Sequence, residues 1–317
     1  MKILITGGAG FIGSHLADSL LKENHQIVVI DNLSQGTEKN IGHNFDNKNF
    51  KFCKLDLLDS DKLKKIFKTE NFEIVFHLAA NSDIAMSCKN PKIDLDNTFL
   101  TTYNVLTAMM EFNVKKLVFA STSAIYGETP GKTAEDFGPL FPVSHYGASK
   151  LASEAFISSF SKNYGLVSWI IRFPNVVGER ATHGVVFDFI NKLKINSSQL
   201  DVLGNGMQYK PYLYVKDLIE AVIYIWKNAN EQINVYNVGV DTKTRVKKIA
   251  ETVIEQMGLN PEIKYGSQDR GWTGDIPAFD YNLNKVHNLG WHSENTSDEA
   301  VKKAVNAILK YEKNQVI

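Results

Sequence analysis

The chain has 317 residues and carries 35 basic and 35 acidic side chains, so its formal net charge at pH 7 is zero. This balance argues against binding to nucleic acid or to an anionic membrane surface, since both require clustered positive charge. The length allows a large core and two domains.

The cysteines and the apolar runs exclude further classes of protein. Cys53 and Cys88 occur without metal-ligand spacing, so we expect packing positions, a reduced cytoplasmic setting and no metal site. The N-terminal apolar run is too short for a signal peptide, and no later run is long enough to span a bilayer. The sequence therefore predicts a soluble protein with no membrane partner.

A glycine-rich segment follows the first apolar run, Ile3–Ile5. The run predicts a strand buried on both faces, and apolar residues four apart predict a helix after the glycines. Gly8, Gly10 and Gly13 satisfy the pattern G-x-G-x-x-G, which brings a pyrophosphate against the backbone and a helix N-terminus. Such a pattern can also be a turn without a ligand, but its position between a strand and a helix favours a dinucleotide site.

The second predicted strand, 26–31, ends in a carboxylate. An acid at this point accepts hydrogen bonds from the ribose hydroxyls of adenosine and repels a 2′-phosphate. Asp31 therefore favours NAD over NADP. If the glycine pattern were accidental, Asp31 would only begin a turn with Asn32.

Strands and helices continue to alternate along the first half of the chain. Strands are predicted at 50–56, 73–79, 116–120 and 168–172, with helices near 63–67, at about 94–112 and from about Tyr146. This alternation predicts an α/β fold with a Rossmann-type, doubly wound parallel sheet, whose ligands lie across the carboxyl ends of the strands.

The second half of the chain is less regular. We predict short elements over 174–216, a helix at 217–228, a strand at 234–238 and helices at about 245–257 and 298–312, with Thr244 as the N-cap of the former. Residues 1–173 are expected to form the NAD-binding domain, to which segments near 209–240 return. Residues 174–317 are expected to form mainly a smaller substrate domain.

Two stretches, 119–127 and 145–150, hold side chains suited to acid–base chemistry. Tyr146 and Lys150 are four residues apart, so on a helix they share one face. A cation there is expected to lower the pKa of the phenol from about 10 toward neutral pH. Thr122 and Ser123 end the preceding strand, where a hydroxyl can bridge Tyr146 and a substrate oxygen. In other contexts this pair is usually a surface tyrosine beside a solvated lysine.

Together these segments resemble the extended short-chain dehydrogenase/reductases of the NAD-dependent epimerase/dehydratase family, and most closely its UDP-glucose 4-epimerase branch. The resemblance covers nearly the whole chain. Its motifs are T-G-G-A-G-F-I-G-S at 6–14, D-N-L-S-Q-G at 31–36, H-L-A-A at 77–80, S-T-S-A-I-Y-G at 121–127, Y-G-A-S-K at 146–150, R-F-P-N-V-V-G at 172–178 and G-D-I-P at 274–277.

The resemblance implies roles for individual residues. Thr122, Tyr146 and Lys150 are implied as catalytic, with Ser123 as the second candidate for the catalytic hydroxyl. The residues implied to bind NAD are Gly7, Gly10, Phe11, Ile12, Asp31, Asn32, Asp56, Leu57, Ala79, Ala80, Asn97, Tyr146 and Lys150. Those implied to bind the nucleotide sugar are Ser123, Asn175, Lys210 and Arg270. A homodimer formed by helices near 97–112 and 147–162 is also implied.

The resemblance implies a reaction as well. Dehydratases of the family have the sequence T-D-E-V-Y-G where this chain has Ser123 and Ala124, and nucleotide-sugar decarboxylases keep the glutamate. Without a carboxyl group at either position, dehydration and decarboxylation are disfavoured, and 4-epimerisation through transient oxidation at C4 is expected. A nucleotide-sugar 4-dehydrogenase that releases a 4-keto sugar and a non-catalytic NAD-sensing protein are the alternatives.

Overall fold

The computed structural model describes residues 1–83, 89–129, 131–271, 276 and 278–313. The chain forms two compact units that interleave along the sequence. The first unit consists of Met1–Gly127, Gly138–Arg172 and Val222–Tyr236. The second consists of Glu128–Phe137, Phe173–Ala221 and Asn237–Ile317. Their assignment to cofactor and substrate binding stays a prediction.

A seven-stranded parallel sheet forms the centre of the first unit, which confirms the predicted Rossmann-type α/β fold. The spatial order of its strands is β12-β7-β5-β4-β1-β2-β3. Their bounds are β1 Lys2–Thr6, β2 Gln26–Asp31, β3 Phe50–Lys54, β4 Ile74–His77, β5 Lys116–Thr122, β7 Val167–Phe173 and β12 Ile233–Asn237. The winding direction reverses at β1, where the ligand site of such a sheet is expected.

Helices cover the sheet, so its central strands are apolar on both faces. Ile3 of β1 pairs with Ile27 of β2 and with Ile74 of β4, and all three side chains are buried. The helices of this unit are α1 Phe11–Lys22, α2 Ser60–Glu70, α3 Thr101–Glu111 and α4 His145–Tyr164. Burial of these apolar faces supplies most of the stability of such a fold.

Local signals set the ends of α2 and α4. The side chains of Asp59 and Ser144 accept hydrogen bonds from backbone N–H groups of the first turns of α2 and α4, at 3.1 Å each. Gly165 ends α4 in the left-handed conformation that favours glycine. The first turn of α4, which holds Tyr146, is therefore fixed by its cap.

The helix predicted over 94–112 is not one continuous α-helix. A single turn at Lys92–Asp94 leads into a π-helix at Leu95–Leu100, which continues as α3. A π-helix has one more residue per hydrogen-bonded ring than an α-helix, so it changes which side chains face inward. Asp94, just before the π-helix, and Thr98, within it, are both wholly buried.

The second unit is built from four short strand pairs and several helices. Its strands are β6 Lys132–Thr133, β8 Asn175–Val177, β9 Gln199–Val202, β10 Tyr209–Lys210, β11 Tyr212–Tyr214, β13 Thr244–Arg245, β14 Glu262–Tyr265 and β15 Asp280–Tyr281. They pair as β8 with β11, β9 with β14, β6 with β15, and β10 with β13. The later helices are α5 Val185–Ile195, α6 Val215–Asn228, which is shared with the first unit, α7 Val246–Met257, α8 Asn284–Leu289 and α9 Ser297–Lys313.

Two sequence predictions fail in the second unit. Thr244 is not the N-cap of α7: the cap position is Arg245, and the Thr244 hydroxyl contacts Ser297 Oγ at 2.7 Å and Asp298 Oδ1 at 2.5 Å. The helix α5 lies where the sequence indicates only short elements, because Gly, Asn, Pro and Lys punctuate residues 174–216. Within the described ranges, no helix combines the length and the apolarity that a bilayer crossing requires.

Candidate active site

The glycine-rich loop after β1 leaves no room for side chains at two positions. Gly7 has a φ of +70°, and a Cβ there would lie 2.7 Å from the backbone N of Ala79. A Cβ on Gly13 would lie 2.3 Å from the carbonyl oxygen of Gly7. No side chain caps α1, which begins at Phe11, so its first N–H groups suit an anion. This cradle fits the pyrophosphate of a dinucleotide.

Polar groups at the ends of β2 and β3 fit the adenosine end of such a ligand. Asp31 is buried, and its carboxylate accepts hydrogen bonds from the backbone N–H groups of Ala9 at 3.0 Å and Leu33 at 2.8 Å. Burial raises the pKa of Asp31, and these hydrogen bonds oppose the rise. The Asn32 amide donates to Asp56 Oδ2 at 3.1 Å, and Leu57 is buried beside it.

Further residues predicted to bind NAD follow the end of β4. Ala79 and Ala80 follow β4, and the N–H of Ala79 lies 3.4 Å from Thr6 Oγ1 at the end of β1. Asn97 lies in the π-helix and is half-buried. The next residue, Thr98, is wholly buried and accepts the backbone N–H of Asn81 at 3.1 Å.

The three side chains predicted as catalytic lie together. Thr122 is the last residue of β5, and its side chain lies close enough to the phenol of Tyr146 to lower the pKa of that phenol through hydrogen bonding. The ammonium group of Lys150 lies 5.9 Å from the centre of the Tyr146 ring and donates to the carbonyl oxygen of Ala120 at 2.6 Å. Ser123 begins a short 3₁₀ turn and is half-buried. The arrangement places one phenol, one hydroxyl and one ammonium at the end of a central strand.

The expected lowering of the tyrosine pKa is wrong for the chain by itself. Although part of Tyr146 reaches the surface, its phenol is desolvated, and this raises its pKa to about 12. Burial also lowers the pKa of Lys150 to about 7, against the opposing charges of Glu154 and Asp94. Desolvation disfavours both charged forms, so the phenol stays protonated and the ammonium is only partly charged near neutral pH.

His77 is a buried neutral group behind these residues. Its Nδ1 lies 2.6 Å from Thr6 Oγ1 and its Nε2 lies 3.0 Å from Thr102 Oγ1. The Thr102 hydroxyl donates to the carbonyl oxygen of Thr98 at 2.6 Å, so it accepts from His77, and the proton is assigned to Nε2. Burial lowers the pKa of His77 to about 3, with a smaller effect from Lys150.

Four polar side chains around the site carried no functional prediction: His77, Asp94, Glu154 and Arg172. All four are buried. A charged residue within or beside an apolar segment, such as Arg172 after Trp169–Ile171, is the signal that could have found them. Their partners come from distant parts of the chain and cannot be read from the local sequence.

The residues predicted to bind the nucleotide sugar, apart from Ser123, belong to the second unit. Asn175 begins β8 and is exposed, and Lys210 lies in β10 and is half-buried. Arg270 donates to Glu128 Oε1 at 2.9 Å. The motif at 274–277 falls mainly outside the described residues, as does Cys88, whereas Cys53 is half-buried against the core. Among the described residues, no cluster of three potential metal ligands occurs.

The sequence and the fold are similar to those of known proteins of one family. The model of the NAD dependent epimerase/dehydratase family matches residues 3–239. A crystal structure of UDP-galactose 4-epimerase is 36% identical, with a TM-score of 0.88, and the match covers 98% of this chain and 99% of the other. The Thermus thermophilus UDP-glucose 4-epimerase in complex with NAD is 32% identical, with a TM-score of 0.86 and coverage of 97% and 98%. The dTDP-D-glucose 4,6-dehydratase of Homo sapiens is 30% identical over 96% of this chain and 89% of its own length.

The glycine cradle gives a testable expectation for ligand binding. A Gly13→Ala substitution places its Cβ 2.3 Å from Gly7 O, so the loop has to move, at a cost of about 1–3 kcal/mol in stability. We expect NAD affinity, measured by calorimetry, to fall about tenfold or more. Gly42→Ala is the matched control, because a Cβ there meets nothing within 4 Å. Equal NAD affinities for the two variants would contradict the assignment of the glycine-rich loop as the pyrophosphate site.

His77 predicts a pH dependence of stability. Its pKa is about 3 in the fold against an ordinary value of 6.5, so the unfolded chain binds one more proton between these values. The imidazole therefore costs no stability above pH 6.5, and stability falls as the pH drops toward 3. In His77→Gln, the slope of unfolding free energy against pH, measured with urea between pH 4 and 6, should be smaller by about 1.4 kcal/mol per pH unit. Equal slopes would mean that His77 is charged in the fold.

Proposed function

Because the chain belongs to the NAD-dependent epimerase/dehydratase family, we propose that it is a nucleotide-sugar 4-epimerase. NAD is the cofactor of this family, and the glycine cradle and Asp31 fit it. One observation carries the choice of reaction: Thr122, Tyr146 and Lys150 meet at the end of β5, while positions 123 and 124 hold no carboxyl group.

The side chains supply the proton transfers of this reaction. NAD, when bound, supplies the acceptor and donor for the hydrogen on C4 of the sugar. Tyr146, ionised, takes the proton of the 4-hydroxyl group, and the Thr122 hydroxyl links the phenol to that oxygen. The Lys150 ammonium stabilises the phenolate. Once the 4-keto sugar has turned its other face to the cofactor, Tyr146 returns the proton to the same oxygen.

The desolvated phenol of Tyr146 makes positive charge a requirement of this chemistry. With Lys150 in place the pKa of the phenol is still about 12, so this ammonium alone does not ionise Tyr146 at neutral pH. Lys150, whose pKa burial has lowered to about 7, contributes part of the positive charge, and the cationic nicotinamide of bound NAD⁺ would contribute the rest. We therefore expect activity to fall when Lys150 loses its proton at higher pH.

Positions 123 and 124 argue for epimerisation over dehydration. Elimination of water from the sugar needs an acid and a base beside C5 and C6. The family includes dehydratases such as the human relative, so membership alone does not separate the two reactions. Ser123 and Ala124 stand where the resemblance places the dehydratase carboxyl groups, and neither can serve as acid or base at neutral pH.

We propose a UDP-hexose of the glucose/galactose type as the substrate. Similar solved structures include UDP-galactose and UDP-glucose 4-epimerases, which support this choice, alongside 4-epimerases of UDP-N-acetylglucosamine and UDP-glucuronic acid. In this proposal Ser123 contacts the sugar, and Asn175, Lys210 and Arg270 bind the nucleotide diphosphate. Anchoring at the diphosphate leaves the sugar free to turn between the two half-reactions.

We also propose a homodimer through the π-helix, α3 and α4. These helices carry large apolar side chains that are at least 39% exposed, namely Leu95, Tyr103, Met110, Phe156 and Tyr164. Phe156 packs edge-on against Phe99 and Tyr103, so the exposed groups of the two helices adjoin one another. A second copy of the chain would cover this apolar surface.

Tyr146→Phe tests the catalytic assignment. The variant keeps the ring but lacks the hydroxyl, so turnover of UDP-glucose and UDP-galactose should fall about 10²–10⁴-fold. NAD content after purification should stay unchanged, which absorbance and fluorescence can measure. Activity close to that of the native protein would contradict the assignment.

A panel of UDP, GDP, CDP and dTDP sugars, followed by NMR, tests the reaction itself. A C4 epimer as the product supports the proposal. A released 4-keto sugar would indicate a dehydrogenase, a 4-keto-6-deoxy sugar would indicate a dehydratase, and either result would overturn it.

Met110→Glu tests the proposed dimer. A charge on the apolar surface should raise the dimer dissociation constant about tenfold or more, measured by sedimentation velocity. Ile195→Glu, at a position 88% exposed on α5, is the matched control and should leave the constant unchanged. A monomeric native protein would rule out the dimer.

A further inference from the structure

A buried ion pair connects α4 to the ends of two strands of the central sheet. Glu154 and Arg172 are each 6% exposed. Arg172 Nη2 donates to Glu154 Oε2 at 2.6 Å, and Arg172 Nε donates to Glu154 Oε1 at 3.1 Å. This two-point contact holds α4 against the end of β7. A pair this deeply buried is costly to form, so its partners must satisfy both charges.

The same two residues reach the end of β5, where the catalytic hydroxyl lies. The Ser121 hydroxyl donates to Glu154 Oε1, and Arg172 Nη1 donates to the Tyr126 hydroxyl at 2.8 Å. Ser121 directly precedes Thr122, and Tyr126 follows the 3₁₀ turn that begins at Ser123. One network therefore contacts both sides of the segment that carries Thr122.

Glu154 also lies one helical turn beyond Lys150 on the same face of α4. We propose that Glu154 is a positioning residue for the Tyr146–Lys150 pair: its carboxylate fixes the face of α4 that bears the pair and keeps a negative charge beside the Lys150 ammonium. The inference rests on the proposed acid–base role of these two residues. It adds a residue that touches neither sugar nor cofactor in the proposed function.

Other charged and titratable groups also act on Lys150. Asp94, next to the π-helix, and Glu154 both raise its pKa, against the larger lowering by burial. His77 is neutral at pH values above about 3, so it adds no charge. Tyr146 is protonated near neutral pH. Arg172, which pairs with Glu154, is the remaining charged group of this network.

The effect of the Glu154 charge on Lys150 is tested with the double variant Glu154→Gln/Arg172→Gln. This variant leaves no unpaired charge in the core. In lysine-labelled protein, the Lys150 side-chain NMR signal is assigned by its loss in Lys150→Arg. Its titration midpoint should fall by about one pH unit in the double variant, and the alkaline limb of activity should shift equally. Ser161→Ala is the matched control, because Ser161 joins α4 to Ser168 of β7 further from the site.

The positioning of Tyr146 and Lys150 by Glu154 is tested with Glu154→Asp, which keeps the charge but shortens the side chain by one methylene. The value of kcat should fall about tenfold, while KM and the Lys150 midpoint stay as in the native protein. An unchanged midpoint in the double variant, or an unchanged kcat in Glu154→Asp, overturns the inference. Because the NMR titration does not depend on turnover, a native protein that epimerises nothing would defeat the proposed function and leave this test intact.

Discussion

The candidate site depends on a charge held where water has little access. Lys150 is 2% exposed, and its ammonium contacts the carbonyl of Ala120, the ring of Phe119 and, more distantly, the ring of Tyr146. In such a place the charged form is disfavoured by desolvation, but its effect on a neighbouring phenol is stronger than in water. The cap of α4 and the contacts at the end of β5 serve to keep this charge in one position.

The buried polar groups around Lys150 divide into charged and neutral ones, and the division matters for the chemistry. Glu154 and Arg172 form a closed ion pair that fixes structure. His77 sits between two threonine hydroxyls and is neutral, so it fills space beneath the site without competing for the proton of Tyr146. A protonated histidine there would repel Lys150 and weaken the acid–base pair.

The sequence predicted what strong local patterns determine, and it failed where distant contacts decide. Apolar periodicity located β1 to β5 and α1 to α4, because buried strands and amphipathic helices leave a direct pattern in the chain. The π-helix at Leu95–Leu100 leaves none, since it differs from an α-helix only in backbone hydrogen bonding. The prediction that Thr244 is an N-cap is wrong because Ser297 and Asp298 supply other partners for its hydroxyl. The prediction of a lowered Tyr146 pKa is wrong because a four-residue spacing does not show that the phenol is desolvated.

The interleaving of the two units has a consequence for biosynthesis. The outermost strand beside β7 is β12, which comes from residues 233–237, so the first unit stays one strand short until that segment has left the ribosome. Until then β7 is an open edge with unpaired backbone groups, which can pair with another nascent chain. Completion of the first unit therefore waits until about three quarters of the 317 residues have been synthesised, and chaperones that shield sheet edges should raise the yield.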